Sequence, residues 1–282
     1  MKTSIKHGHS LNVREILIII LAVAICLLVL FPILLLLNSS LKTNAQVMAN
    51  SLSLPTDLKW ENYLQAWQGA KIGRYFSNSL IYCSSAVIFT CIFAAAASFA
   101  FSKMDMKATK YLYPVLLSGT TIPVLTIIVP IYFMLARFKM INSIYGIVTI
   151  YVVISLPFAI LIMTASMKQI PDALIESAVI DGCSLFKVFI KIILPLSKTP
   201  ILTVGIITFI KLWNDFLIAL VITQKSSAYT LAVGLKSFVG EHSIQYNTLS
   251  AGLIMAVVPP IIIYFFLQER IVEGMVTGSV KG

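Results

Sequence analysis

Six long apolar segments set the limits on what this chain can fold into. They cover residues 16–37, 76–101, 111–135, 144–165, 201–222 and 249–267. A helix needs roughly 20 residues to cross a hydrocarbon layer about 30 Å thick, and each segment is about that long. None alternates apolar with polar residues as a barrel strand would, and only helices or closed barrels satisfy their backbone in lipid. The expected fold is therefore an all-α membrane protein with six transmembrane helices. Composition agrees: 59% of the residues are hydrophobic, only 11% are charged, and the mean hydropathy is +0.94. So few charges cannot cover a water-soluble globule. A soluble enzyme, a secreted disulfide scaffold and a disordered chain are excluded on that ground.

The net charge of +10 fits basic residues flanking membrane spans and meeting anionic headgroups. No basic run is interleaved with aromatics outside the apolar segments, so no nucleic-acid partner is expected. Six crossings put both termini on one side. That side holds twelve Lys and Arg against eight on the other, with Lys211 inside a span. The positive-inside rule then predicts cytoplasmic termini in the cell membrane. The division that follows has an N-terminal tail, first span and outer loop over 1–75, a core over 76–267 with a cytoplasmic loop at 166–198, and a tail over 268–282. The first apolar run is longer than a signal-peptide core of roughly 7–15 residues and has no small-residue cleavage pattern, so it reads as an uncleaved span. The outer segment 223–248 reads as a long, polar, flexible loop, with Gly234 and Gly240 allowing turns.

Cys26, Cys83, Cys91 and Cys183 form no C-x-x-C pair, and His7 and His9 sit near the terminus. Neither a disulfide nor a metal site is expected, and no cofactor. The second span carries Ala94 to Ala97, Ser98 and Ala100, small residues that let helices approach closely. Pro114, Pro123 and Pro130 in the third span, Pro157 in the fourth and Pro259-Pro260 in the sixth mark bends, either fixed or moving.

The loop at 166–198 carries its own helix signal. Asp172 follows Pro171 as a candidate N-cap. Leu174, Ile175, Ala178 and Val179 recur at helical spacing as one apolar stripe. Gly182 can end the helix in a left-handed conformation. A second helical stretch runs from Ser184 to about Ile193 before Leu194-Pro195-Leu196 breaks it. A short amphipathic helix beyond the membrane must dock its apolar face on something.

The segment from Glu176 to Leu196 closely resembles the "EAA" loop of ATP-binding cassette importer permeases. Glu176 fills the acidic place, Ser177 replaces the first alanine, and Ala178 keeps the second. Gly182 is the glycine, and Ile192, Leu194 and Pro195 close the pattern. Trp213-Asn214-Asp215-Phe216 and the ending Gln268-Glu269-Arg270, Gly274, Gly278 and Lys281-Gly282 are similar to the MalG-like permeases of maltose-type systems. The resemblance covers the chain from the first span to the C-terminus. It implies the type I importer (MetI-like) bundle. It also implies a heterodimer with a second permease subunit, a cytoplasmic ATPase dimer and an extracytoplasmic sugar-binding protein. In it the short helix is the coupling helix, with Leu174, Ile175, Glu176, Ala178, Val179, Asp181 and Gly182 at the ATPase.

The chain has no G-x-x-x-x-G-K-[ST] phosphate loop, so ATP hydrolysis is assigned to the partner, and no acid–base or nucleophile motif marks an enzyme. Lys211 and Asp215 are the charges within a span, spaced to pair on one helix face. With Tyr132, Tyr151, Trp213 and Asn214 they are the candidates for the substrate pathway. The function expected is an ATP-driven, binding-protein-dependent oligosaccharide permease working by alternating access. The alternatives are a permease of the same fold for another solute such as glycerol phosphate, and an ion-coupled carrier.

Overall fold

The computed structural model describes residues 12–69, 71–238 and 244–279, with side chains described up to 266. Among the described residues the regular structure is helical. In order, the helices are α1 Val13–Ser40, α2 Asn44–Ala49, α3 Glu61–Leu64, α4 Ile72–Lys103, α5 Thr109–Ser118, α6 Val124–Arg137 and α7 Ile144–Met167. After these come α8 Ala173–Ile180, α9 Leu185–Val188, α10 Leu194–Leu196, α11 Lys198–Trp213, α12 Leu217–Ile222, α13 Leu231–Gly234 and α14 Tyr246–Ser279. His7, His9, Gly240 and the closing Lys281-Gly282 lie outside the described residues. The chain divides into two compact units, one reaching to Ala66 and including Phe238–Ile254, the other holding Trp67–Ser237 and the remainder.

In the first unit α1 begins with a reciprocal cap between Asn12 and Glu15. Its most apolar stretch buries nothing against the rest of the described chain, as a helix facing lipid would. The segment after it is stitched by polar groups. Lys42 is fully buried and its Nζ donates to Asn50 O, Ser51 O and Ser53 Oγ at 3.1–3.2 Å. Burial pushes its ammonium below the ordinary lysine value. Buried Asn62 donates to Ser40 O and Lys42 O, both at 2.8 Å, and accepts from Asn247 Nδ2 at 2.8 Å. The buried side chains of Lys42 and Asn62 thus have partners, which is what makes their burial tolerable.

The second unit is built on α4 packed along α7, with α11 against both. The small residues of α4 are at that contact. Ala94, Ala95 and Ala159 are buried, and Ser98 Oγ donates to Ile160 O at 3.3 Å across it. Close approach between backbones is the use that lipid makes of alanine and serine.

Three expectations need correction. Among the described residues four helices, α1, α4, α7 and α14, are unbroken, long and apolar enough to cross a membrane, whereas the third and fifth apolar segments are interrupted. The third splits into α5 and α6 at Gly119–Pro123. Proline disfavours helix at the residue before it and supplies no N–H. The freed carbonyls are then recovered locally: the amides of Gly119, Thr120 and Thr121 bond back three residues, and the hydroxyls of Ser118, Thr120 and Thr121 do the same at 2.7–2.8 Å. The fifth splits into α11 and α12, and α11 is itself bent by 72° from the helical run Leu185–Leu196.

The third correction concerns the outer segment. Up to Phe238 it forms short helical turns rather than an open loop, and within the second unit it is bonded to α4. Asn78 Nδ2 donates to Ser227 O and Tyr229 O at 3.1 and 2.9 Å, Tyr82 OH donates to Ala228 O at 3.3 Å, and Ser79 Oγ accepts from Leu231 N at 2.7 Å. Gly234 serves close packing, since a Cβ there would enter the ring of Tyr75.

Candidate functional site

The loop after α7 builds a rigid corner. α8 ends in a paired turn: Gly182 N donates to Val179 O at 3.0 Å and Cys183 N to Ala178 O at 2.9 Å. That pattern satisfies the last carbonyls and requires a left-handed residue between them. Gly182 supplies it at φ +80°, where any other residue meets a steric penalty. Ser184 Oγ then accepts from Lys187 N at 3.4 Å and opens α9. A π-turn at Phe189–Ile193 and Pro195 carry the chain to α11.

The apolar stripe of α8 is divided. Ala178 is buried and Ile175 half-buried, and both pack into this chain's own core beside Phe99, Met163, Met167 and Val188. Leu174, Val179 and Ile180 are exposed, as are Glu176 and Asp181. The stripe therefore does not act as one surface: part seats the helix and part faces outward. Asp172 takes the N-cap position of α8, as its place after Pro171 leads one to expect, but not by the usual bond. Its side chain caps nothing; its Oδ1 pairs with Lys103 Nζ at 2.6 Å. Sequence inspection missed Lys103, because its partner lies 69 residues away and no local pattern announces the contact.

The second constellation sits at the break between α11 and α12. Asp215 accepts from Tyr151 OH at 2.9 Å, from Ala219 N at 3.0 Å and from Ile218 N at 3.4 Å. It thus takes up amides that open α12 and would otherwise be orphaned in an apolar setting. Among the described residues no ion pair joins it to Lys211, so the expected pair on one helix face is replaced by a carboxylate–phenol–amide cluster. The reason is geometric: the helix stops at Trp213, and Asp215 is no longer one turn above Lys211. Lys211 instead lines a cavity of about 630 Å³ together with Ser118, Thr120, Pro157 and Ile207. That is within the usual range for a small-molecule site.

Trp213 does not line that cavity. It is 4% exposed, stacked on Phe209 at 5.6 Å and edge-on to Phe76 at 5.4 Å. Its Nε1 donates to Ala256 O at 3.0 Å. Four residues on stands Pro260, which has no N–H to offer that carbonyl. The indole replaces the donor that the proline removed. Trp213→Phe keeps the packing and leaves Ala256 O unpaired, so purified protein is expected to lose about 1–3 kcal/mol, read as a fall in detergent melting temperature. An unchanged melting temperature would contradict this role. Asn214 is exposed, and its Nδ2 donates to Ile210 O of its own helix at 2.9 Å. Tyr132 is half-buried on α6, edge-on to Phe133 at 5.7 Å, and is not among the groups bonded to Asp215.

Residues 88–277 match the family described as "Binding-protein-dependent transport system inner membrane component". The chain belongs to that family: it is a multi-pass membrane permease of the ATP-binding cassette importers, with their MetI-like all-α fold. It is similar to the diacetylchitobiose uptake system permease protein NgcG of Streptomyces coelicolor, 30% identical over 90% of this chain and 85% of that protein. It is also similar to the arabinooligosaccharides transport system permease protein AraQ of Bacillus subtilis, 28% identical over 99% and 100% of the two chains. In three dimensions it resembles a chain of a bacterial ABC transporter that imports the acidic polysaccharide alginate, with TM-score 0.81 over 93% and 98% of the chains at 20% identity. That last likeness speaks for the fold.

Proposed function

We propose that this chain is one of two permease subunits of an ATP-driven importer of oligosaccharides. The reading rests chiefly on similarity over most of the chain to permeases named for diacetylchitobiose and arabinooligosaccharide uptake. A cytoplasmic ATPase dimer drives it and an extracytoplasmic binding protein delivers the sugar. The interrupted segments count as crossings, giving six, with both termini and α8 in the cytoplasm. α8 is the coupling helix. Its outward residues Leu174, Glu176, Val179 and Ile180 enter the ATPase, while Ile175 and Ala178 hold it on the permease. Closure of the ATPases is passed through this corner and switches the cavity beside Lys211 between its two openings.

The test is uptake of radiolabelled oligosaccharide by cells carrying this chain with its sister permease, ATPase and binding protein. Accumulation is expected only when all four are present and ATP is available. Uptake without the ATPase, following an ion gradient, would sink the reading in favour of an ion-coupled carrier. Accumulation of glycerol phosphate and no sugar would keep the importer and change its solute.

A further inference from the structure

α8 is held on the permease at both ends, and the sequence motif accounts for only one of them. The far end is fixed by the glycine corner and by Ala178 and Cys183 in the core. The near end is fixed from α4. Lys103, the last residue of α4, has its side chain 2% exposed, and its Nζ donates both to Ile170 O and to Asp172 Oδ1, the latter at 2.6 Å. Asp172 is open to solvent, its side chain 74% exposed. A lysine stem buried this fully delivers its ammonium to one place, and both acceptors there belong to the turn that opens α8. From Lys103 back to Ile72, α4 is one continuous helix packed on α7, and its other end carries the bonds from Asn78, Ser79 and Tyr82 to the segment 227–231.

We infer that Lys103 is a positioning residue for coupling: by clamping Ile170 and Asp172 to the end of α4, it makes α8 and α4 move as one body when the ATPase closes. This rests on the proposed importer reading. Without the clamp, α8 would still dock, because its outward face is untouched. It would then yield at its first turn instead of pulling α4, and ATP would be spent without moving sugar.

The test uses the whole complex in proteoliposomes, measuring ATP hydrolysed, sugar imported and ATPase co-purified with the permease. Lys103→Met is expected to leave ATPase association intact and to raise the ATP spent per sugar about fivefold or more, the order of a 1 kcal/mol loss of coupling. Asp172→Asn, which keeps an acceptor oxygen and alters no buried group, is expected to give a smaller rise in the same direction. Lys103→Arg is expected to restore most of the wild-type ratio. The double variant Lys103→Met/Asp172→Asn is expected to be no worse than Lys103→Met alone, since both act on one clamp. An unchanged ratio in Lys103→Met overturns the inference. So does loss of assembly in Lys103→Met together with a normal ratio in Asp172→Asn, which would make the lysine a folding residue only. A wild-type complex whose hydrolysis ignores sugar-loaded binding protein would instead remove the importer reading itself.

Discussion

Gly182→Val is expected to cut sugar uptake about fivefold or more, with the permease still inserted in the membrane. The space around Gly182 is open, and a Cβ there would meet nothing within 4 Å. The cost therefore comes from the backbone alone. At φ +80° a β-branched side chain is strained by about 1–2 kcal/mol, and a strain of that size shifts a local equilibrium about five- to thirtyfold. It is relieved by opening the turn that joins Val179 O to Gly182 N and Ala178 O to Cys183 N. Opening that turn releases Ala178 from the core and changes the direction of α9. Gly182→Asn separates this account from simple crowding, because asparagine tolerates the left-handed region, and it is expected to keep most of the uptake. Equal loss in both variants would contradict the argument. Glu176→Lys acts differently. Glu176 is exposed on this chain, so the substitution is expected to spare folding and insertion and to abolish uptake through the ATPase contact.

The second large effect is expected at Asp215. Its carboxylate is shared by Tyr151 OH, Ile218 N and Ala219 N, and Tyr151 is fully buried. Asp215→Ala leaves a phenol and the start of α12 without partners in an apolar setting. Each unpaired group costs about 1–3 kcal/mol, so the sum approaches the whole stability of an ordinary domain. The expected result is little or no properly inserted protein. Asp215→Asn keeps acceptor capacity and is expected to insert and transport at a reduced rate. Tyr151→Phe removes only the phenol and is expected to lose about 1 kcal/mol. Full insertion and normal melting of Asp215→Ala would show that the carboxylate does not hold the break together.

The sequence announces some of this and conceals the rest. Apolar segments, the small-residue face of α4 and the glycine after α8 are legible because each follows from a local rule: hydropathy over a window, close packing at alanine, φ above zero at glycine. The interruptions at 119–123 and 214–216 are concealed because each is only a few residues long and a hydropathy window averages over it. Pro123 offered a clue to the first; for the second, Asn214-Asp215 reads as a polar spot in a helix until Ile218 and Ala219 are seen on its carboxylate. The division of the α8 stripe was not legible either. Ile175 and Val179 are equivalent in pattern, and only the position of α4 and α7 decides that one faces the core. Contacts of long range leave no local trace at all. Lys103 with Asp172, Trp213 with Ala256, and Tyr151 with Asp215 are each separated by 43 to 69 residues.

The central claim is that this permease couples ATP hydrolysis to sugar through α8. It is tested most directly by measuring the ATP hydrolysis rate of the reconstituted complex with and without sugar-loaded binding protein, in wild type and in Gly182→Val. The account predicts strong stimulation in the wild type and almost none in the variant, with the ATPase present in both at equal amounts. Equal stimulation in the two would show that the corner at Gly182 does not carry the coupling.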